Sequence, residues 1–263
     1  MSEDRRTPEG VDPTKPNSAR IYDYMLGGKD NYEVDRKVAQ RMLEVAPDTR
    51  PLAWFSRQFL LRATQIAAEA GVRQFLDLGS GIPTEPTVHE VAQKIEPTAR
   101  VVAVDYDPVV FAHANALLAG APGITPILAD ARDPEHIIEQ VRSEGLIDFD
   151  EPVGVLMVGV LHFIMDAEGP ADIVARYRDA LAPGSYFGFT HGGDESNRDF
   201  IERSSRDTAG SPSQVVYRSR AQVAAMFDGF EILEPGVVPL QEWLGGDLPS
   251  TELVLLGGVC RKP

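Results

Sequence analysis

Apolar residues recur at helical spacing from Ser18 to Ala70, and after Gly71 the pattern changes to short apolar runs alternating with helical stretches. From Ser18 to Pro47, SARIYDYMLGGKDNYEVDRKVAQRMLEVAP predicts two short helices interrupted at Gly27-Gly28, because glycine is costly inside a helix. A longer helix is expected over 51–70, where Trp54, Phe55, Phe59, Leu60, Ala63 and Ile66 fall near helical spacing and Gly71 can terminate it. Strands are expected at 74–78, 100–105, 125–129, 153–159 and 186–190, and two more at 230–233 and 253–259. Helices should cover 86–95, 108–118, 134–143, 169–182 and 219–228. Strands alternating with helices imply βαβ units and a parallel sheet.

The organisation follows. Residues 1–16 are polar, contain three prolines and show no apolar period, so they are expected to form a disordered or loosely attached arm. Residues 17–71 should form a helical lid or cap, and 72–263 a single α/β domain.

Candidate chemistry gathers at the ends of the predicted strands. In FLDLGSGIPT an apolar strand ends in Asp77, Gly79, Ser80 and Gly81 before a helix opens; glycines there let backbone approach a ligand, and a helix start offers free N–H groups. A dinucleotide fingerprint would need a third glycine where Thr84 stands. RVVAVDYDP ends its strand in Asp105, a carboxylate placed to accept two hydrogen bonds from a ribose diol. Asp107-Pro108 reads as a helix N-cap followed by a first-turn proline. After the third strand, Asp130 can accept from an adenine amine and Ala131 can offer its N–H. His162 and His191 follow the fourth and fifth strands and are the candidate general bases. Their alternative is a structural role; His89, His113 and His136, on predicted helices, are assigned surface or packing roles. In the predicted lid, Tyr22, Tyr24, Lys29, Asn31 and Arg57 are the polar candidates for ligand contact, Tyr24 with the Gly27-Gly28 turn as cofactor cover.

Composition narrows the field. Cys260 is the only cysteine, which excludes an internal disulfide or a thiolate-rich zinc site and suggests a buried structural thiol. The chain has no HExxH, GxSxG or P-loop motif. A net charge of −15 disfavours a nucleic-acid substrate. No stretch is long and apolar enough to span a membrane or act as a signal peptide, so the expected compartment is the cytoplasm.

The order DLGSG, VDYD, LADA, an apolar fourth strand and the LAPGS turn resembles the class I S-adenosylmethionine-dependent methyltransferases over about 72–260. SARIYDYMLGGKDNYEVDR, DLGSGIPT and VDYDPVV together resemble, more narrowly, an actinobacterial methyltransferase family of unassigned substrate across nearly the whole chain. The resemblance implies a Rossmann-like sheet of seven strands, mostly parallel with the last inserted antiparallel, and S-adenosylmethionine as cofactor. It would set Gly79, Ser80 and Gly81 against the methionine part, with Asp77 and Gly159 nearby, Asp105 on the ribose, Tyr106 beside the adenine, and Asp130 with Ala131 on its edge. Pro83 departs from the family pattern, standing where a third glycine is common. The acceptor is expected to be a small molecule. Two other readings remain open on the residues alone: a non-catalytic S-adenosylmethionine sensor or partner protein, and a nicotinamide-dependent oxidoreductase.

Overall fold

The computed structural model of the chain describes residues 12–118, 120–208 and 214–263. Three helices come first, α1 (Ser18–Met25), α2 (Glu33–Val45) and α3 (Thr49–Glu69). The alternating region follows with β1 (Gln74–Leu78), α4 (Val88–Ile95), β2 (Arg100–Asp105), α5 (Pro108–Leu117), β3 (Ile124–Leu128), α6 (Pro134–Ser143), β4 (Val153–Met157), α7 (Pro170–Ala180) and β5 (Tyr186–Gly192). The chain ends with α8 (Arg198–Thr208), α9 (Arg220–Ala225), β6 (Glu231–Ile232), β7 (Val238–Pro239), α10 (Leu240–Leu244) and β8 (Leu255–Arg261). The sheet order is β3-β2-β1-β4-β5-β8-β6, with β7 also paired to β8. Strands β1 to β5 run parallel and β8 lies antiparallel to β5. This is the expected Rossmann-like arrangement with one short strand, β7, added.

Both faces of the sheet are covered, which is why its central strands read as continuous apolar runs. Leu76 and Leu78 of β1 point into a core built with α6 and α7 through Ile137, Val141, Ile173 and Val174. Phe75 points the other way, into a core with α3 and α4 through Phe59, Ala63, Val88 and Ala92. Alternation along the strand then puts Asp77 on the α3 side. Helix α3 lies so close to the sheet that a Cβ on Gly188 would stand 2.9 Å from the Ala63 methyl, and one on Gly257 would stand 3.1 Å from the Phe59 ring.

Differences from the sequence expectation concern the periphery. Helices α8 and α10 and strand β7 were not anticipated; two of the three span five residues or fewer, too short for periodicity to register. Trp54, counted in the apolar period of α3, is 47% exposed. His89 is buried, its Nδ1 2.7 Å from the Thr87 hydroxyl, and Cys260 is the expected buried thiol. Of the expected arm, residues 1–11 lie outside the described residues; 12–16 form a turn in which Asp12 accepts from the Thr14 N–H at 2.9 Å and Lys15 offers its carbonyl to Arg20.

Helices α1 and α2 are fastened by polar groups. Arg20 and Asp35 are a buried ion pair at 2.7 Å, 1% and 0% exposed. Asp35 also accepts from the backbone N–H groups of Asn17 and Tyr32, and the Arg20 guanidinium lies over the Tyr32 ring. The GGKDN loop is wrapped around Asp23, whose Oδ2 accepts from Asp30 N–H at 2.9 Å and Asn31 Nδ2 at 2.8 Å. A Cβ on Gly28 would fall 1.9 Å from Asp23 Oδ1. The turn is therefore a built one, with the carboxylate as its template. Replacing Asp35 by alanine strands a buried guanidinium, so Asp35→Ala should lower unfolding stability by about 3–5 kcal/mol. Urea denaturation followed by circular dichroism checks this; a loss below about 1 kcal/mol, the level of an ordinary exposed pair, would mean the pair is not what fastens α1 to α2.

Candidate active site

At the tip of β1, Asp77 is 6% exposed and accepts no hydrogen bond from the described residues. Burial, with Asp105 nearby, pushes its carboxyl up to about 7 against the attraction of Arg57. The following turn climbs over β2, with the N–H groups of Gly79 and Ser80 both donating to the Val104 carbonyl, at 2.8 and 3.0 Å. Gly79 has φ +75, and a Cβ there would sit 2.3 Å from a Val160 methyl. Gly81 has φ +66 and opens onto free space. Both positions favour glycine for its access to the left-handed region.

Asp105 ties this turn to the tip of β2, for its Oδ2 accepts from Gly81 N–H at 2.9 Å and its Oδ1 from Asp107 N–H at 3.0 Å. Burial raises its carboxyl to about 6 even so, the backbone donors offsetting part of the effect. Asp107 is the N-cap of α5, accepting from Val109 N–H at 2.8 Å, and its second oxygen accepts from Asn17 Nδ2. Tyr106, 51% exposed, has its hydroxyl close to Ser18. The start of α1 thus rests directly on the β2 tip.

Beyond β3, both oxygens of Asp130 are engaged by Arg132, at 3.0 Å and 2.6 Å, and Arg132 reaches Glu168 at 2.7 Å. The Ala131 carbonyl accepts from the Tyr177 hydroxyl at 3.0 Å. Gly159, φ +78, follows β4 and donates its N–H to the Thr190 hydroxyl at 2.7 Å.

The two candidate bases differ. His191 is fully buried with both ring nitrogens occupied: Nε2 accepts from Arg218 at 2.7 Å, and Nδ1 lies 2.9 Å from the Gly192 carbonyl, to which it must donate. Arginine cannot accept a hydrogen bond, so this fixes the neutral tautomer. Burial holds His191 down at about 4. His162, in the one-turn helix Leu161–Phe163, has a buried Nδ1 without a partner among the described residues, and its ring stands edge-on to His191 at 6.2 Å. Burial, His191 and Arg218 hold it down at about 3. Arg218, which spans the carbonyl of Ile164 and the carboxylate of Asp166, was not foreseen; it lies in no periodic segment of the sequence.

From the helical region, Tyr22 turns its hydroxyl inward to the Ala53 carbonyl at 3.0 Å, near Arg57. Tyr24 packs in the small core of Met25, Ala39 and Ala53, with Arg50 over its ring at 5.6 Å. Arg57 donates to the carbonyls of Thr84 and Pro86 in the loop after the glycine turn. A separate cleft of about 360 Å³, lined by Asp48, Asn197, Asp199, Arg203 and Glu252 among others, lies between the α2–α3 turn and α8 and shares no residue with the β1 and β2 tips.

The sequence matches the S-adenosyl methyltransferase family over residues 4–263. The chain belongs to that family. Its cofactor is S-adenosylmethionine, and it is a methyltransferase rather than the oxidoreductase or non-catalytic binder also weighed from the sequence. Among solved structures it is similar to a candidate methyltransferase from Thermobifida fusca, 39% identical with TM-score 0.90, covering 98% of this chain and 99% of that one. It is also similar to a DUF574 family protein from Streptomyces avermitilis, 34% identical with TM-score 0.87, covering 94% of this chain and 98% of that one. The N-methyltransferase NodS from Bradyrhizobium japonicum, in complex with S-adenosyl-L-homocysteine, shares the fold at 14% identity and TM-score 0.51, covering 93% of this chain and 99% of that one. Comparison with curated proteins gives no match.

The raised carboxyl of Asp77 has a consequence for stability. Between pH 3.8, where the unfolded group titrates, and about 7, the folded chain holds more protons at this site than the unfolded one, so the site destabilises the fold progressively as pH rises. His162 and His191 act oppositely, remaining neutral in the fold below pH 6.5 while the unfolded chain charges. Comparison with Asp77→Asn isolates the carboxylate: the variant should gain stability over the wild type across that window and level off above it. Equal pH slopes for the two proteins in ligand-free denaturation series would refute the shift.

Proposed function

We propose that S-adenosylmethionine lies across the tips of β1, β2 and β3 and that the enzyme methylates a small-molecule acceptor brought to it from the β4 side. The observation that carries this reading is the Gly79–Gly81 turn, two left-handed glycines of which Gly79 is packed against Val160 and Gly81 opens onto free space, with Asp105 binding the turn to the next strand. Buried carboxyls at Asp77 and Asp105 suit a ligand that brings cationic groups and hydroxyl donors.

In this reading Asp105 takes the ribose hydroxyls and Tyr106 flanks the adenine. The Ala131 N–H and Asp130 meet the adenine edge, Asp130 sharing its oxygens with Arg132. Gly79, Ser80, Gly81 and Gly159 line the methionine end, where only backbone leaves room, and Asp77 faces the ammonium group. Residues 17–71 supply the cover, with Asn17 and Ser18 seated on Asp107 and Tyr106; Tyr24 supports it by packing, away from the ligand. Bound there, the cofactor supplies an electrophilic methyl group on a sulfonium, so the chain's own residues must chiefly align the acceptor and exclude water.

His162 is the residue for the acceptor. Its unpartnered Nδ1 costs free energy in the ligand-free protein, and an acceptor O–H or N–H would satisfy it. A ring held neutral accepts such a bond throughout the physiological range. His191 has no free nitrogen to offer, and its place is to hold Arg218 and the wall behind His162. The net charge of −15 favours small neutral or cationic acceptors over polynucleotides.

Calorimetry with S-adenosylhomocysteine on the wild type and Asp105→Ala tests the cofactor assignment; the variant should bind about 1–3 kcal/mol more weakly while remaining folded. Unchanged affinity removes Asp105 from the site. Screening hydroxyl, amine and thiol compounds for S-adenosylhomocysteine production tests the acceptor class. Once an acceptor is found, His162→Ala should slow turnover and leave S-adenosylhomocysteine affinity as it was. Methylation confined to protein or nucleic acid would sink the small-molecule reading.

A further inference from the structure

Arg218 is 3% exposed, and a buried guanidinium is tolerated only where its donors are well used. Its Nε and Nη2 both donate to Asp166 Oδ1, at 3.1 and 2.6 Å, and Nη2 also reaches the Ile164 carbonyl at 3.0 Å. Its Nη1 is left for His191 Nε2, to which it donates at 2.7 Å. The Asp166 side chain is 83% exposed, so water screens that carboxylate and the cation beside the histidines is only partly compensated. The neighbouring backbone makes the same join, the Arg218 N–H donating to the Gly192 carbonyl at 3.0 Å and the Val216 N–H to the His162 carbonyl at 2.8 Å. One short segment thus ties the loop that carries His162, after β4, to the tip of β5 that carries His191.

A clasp between two loops needs no bond to an imidazole, since Ile164 and Asp166 already anchor the guanidinium. The bond to His191 does something further. With a donor on Nε2, His191 is confined to the tautomer protonated at Nδ1, and a second proton would break that bond and set two cations side by side. The titratable and charged groups that bear on the two rings are each other, Arg218 and, for His191, Asp166. The His162 ring, 6.2 Å from that of His191, lies in the same field. Resting on the assignment of His162 to the acceptor, we infer that Arg218 is a positioning residue for methyl transfer, which fixes the His191 tautomer and the loop under His162 and so keeps the His162 Nδ1 lone pair free for the acceptor.

The alternative is that Arg218 only braces the two loops, and histidine NMR on ligand-free protein labelled at the ring nitrogens separates the two. In the wild type, His191 should show the tautomer protonated at Nδ1, and neither His162 nor His191 should take up a proton between about pH 5 and 8. In Arg218→Gln, which keeps an amide donor but loses the charge, at least one of the two rings should titrate within that range. Arg218→Lys, which restores the charge, should return both to the neutral state. Identical histidine titration in the wild type and Arg218→Gln, or a lysine variant that titrates like the glutamine one, overturns the inference. So does a wild-type His191 that is charged or protonated at Nε2, a result that stands even if the variants fail to fold. With an acceptor found by the screen above, turnover by Arg218→Gln should drop about tenfold for each pH unit below about 6.5, where the wild type stays level; parallel pH profiles also overturn it. Undiminished turnover by His162→Ala would be a different result, removing the acceptor assignment and this inference with it, whereas failure of the histidine signals removes this inference alone.

Discussion

The architecture turns on how closely α3 lies against the sheet. Gly188 and Gly257 open the surface beneath it, so that Ala63 and Phe59 descend nearly to the strand backbone. Burying Phe55, Phe59 and Leu60 in this way contributes roughly 1.5–3 kcal/mol each, before the cost of ordering the chain is counted. Because α3 is held so firmly, its N-terminal turns become a fixed platform at the strand tips. Ala53 receives Tyr22 and the α1–α2 pair, and Arg57 reaches the loop after the glycine turn. The α1–α2 pair is consequently joined through α3 to the core on that face of the sheet.

Electrostatics at the crevice follow from the same enclosure. Carboxylates that would ordinarily ionise near pH 4 are shut away from water at two adjacent strand tips, and the Arg57 charge at Asp77 and the backbone donors at Asp105 compensate only part of the cost. The histidines on the β4 and β5 side experience the reverse, with burial and Arg218 both favouring the neutral ring. One end of the crevice therefore favours incoming positive charge. The other is kept neutral.

Much of this was legible in the chain itself. The parallel strands announced themselves because they are buried on both faces, and Asp107-Pro108 was readable as a cap because capping is a local event. What could not be read were partnerships between distant residues. His191 reads as a free base in the sequence, whereas Arg218, 27 positions away, occupies its ring. Trp54 kept the apolar period of α3 yet faces outward, since periodicity does not say how wide a helix's buried stripe is. Arg57 is one of five polar residues singled out in the predicted lid, and only its Nε, without a partner among the described residues, sets it apart. The helices and strand after β5 are short or strongly polar, and their positions come from tertiary contacts.

The loop around Asp23 has an implication for how such chains can diverge. A carboxylate that fills the space a Cβ would need at Gly28 makes the two positions one unit of inheritance. A relative that acquires a side chain at 28 has to surrender the bulk at 23, and with it the acceptor for the N–H of residue 30 and the amide of residue 31. Drift at either site alone leads through a broken turn, so this stretch should change rarely and in concert.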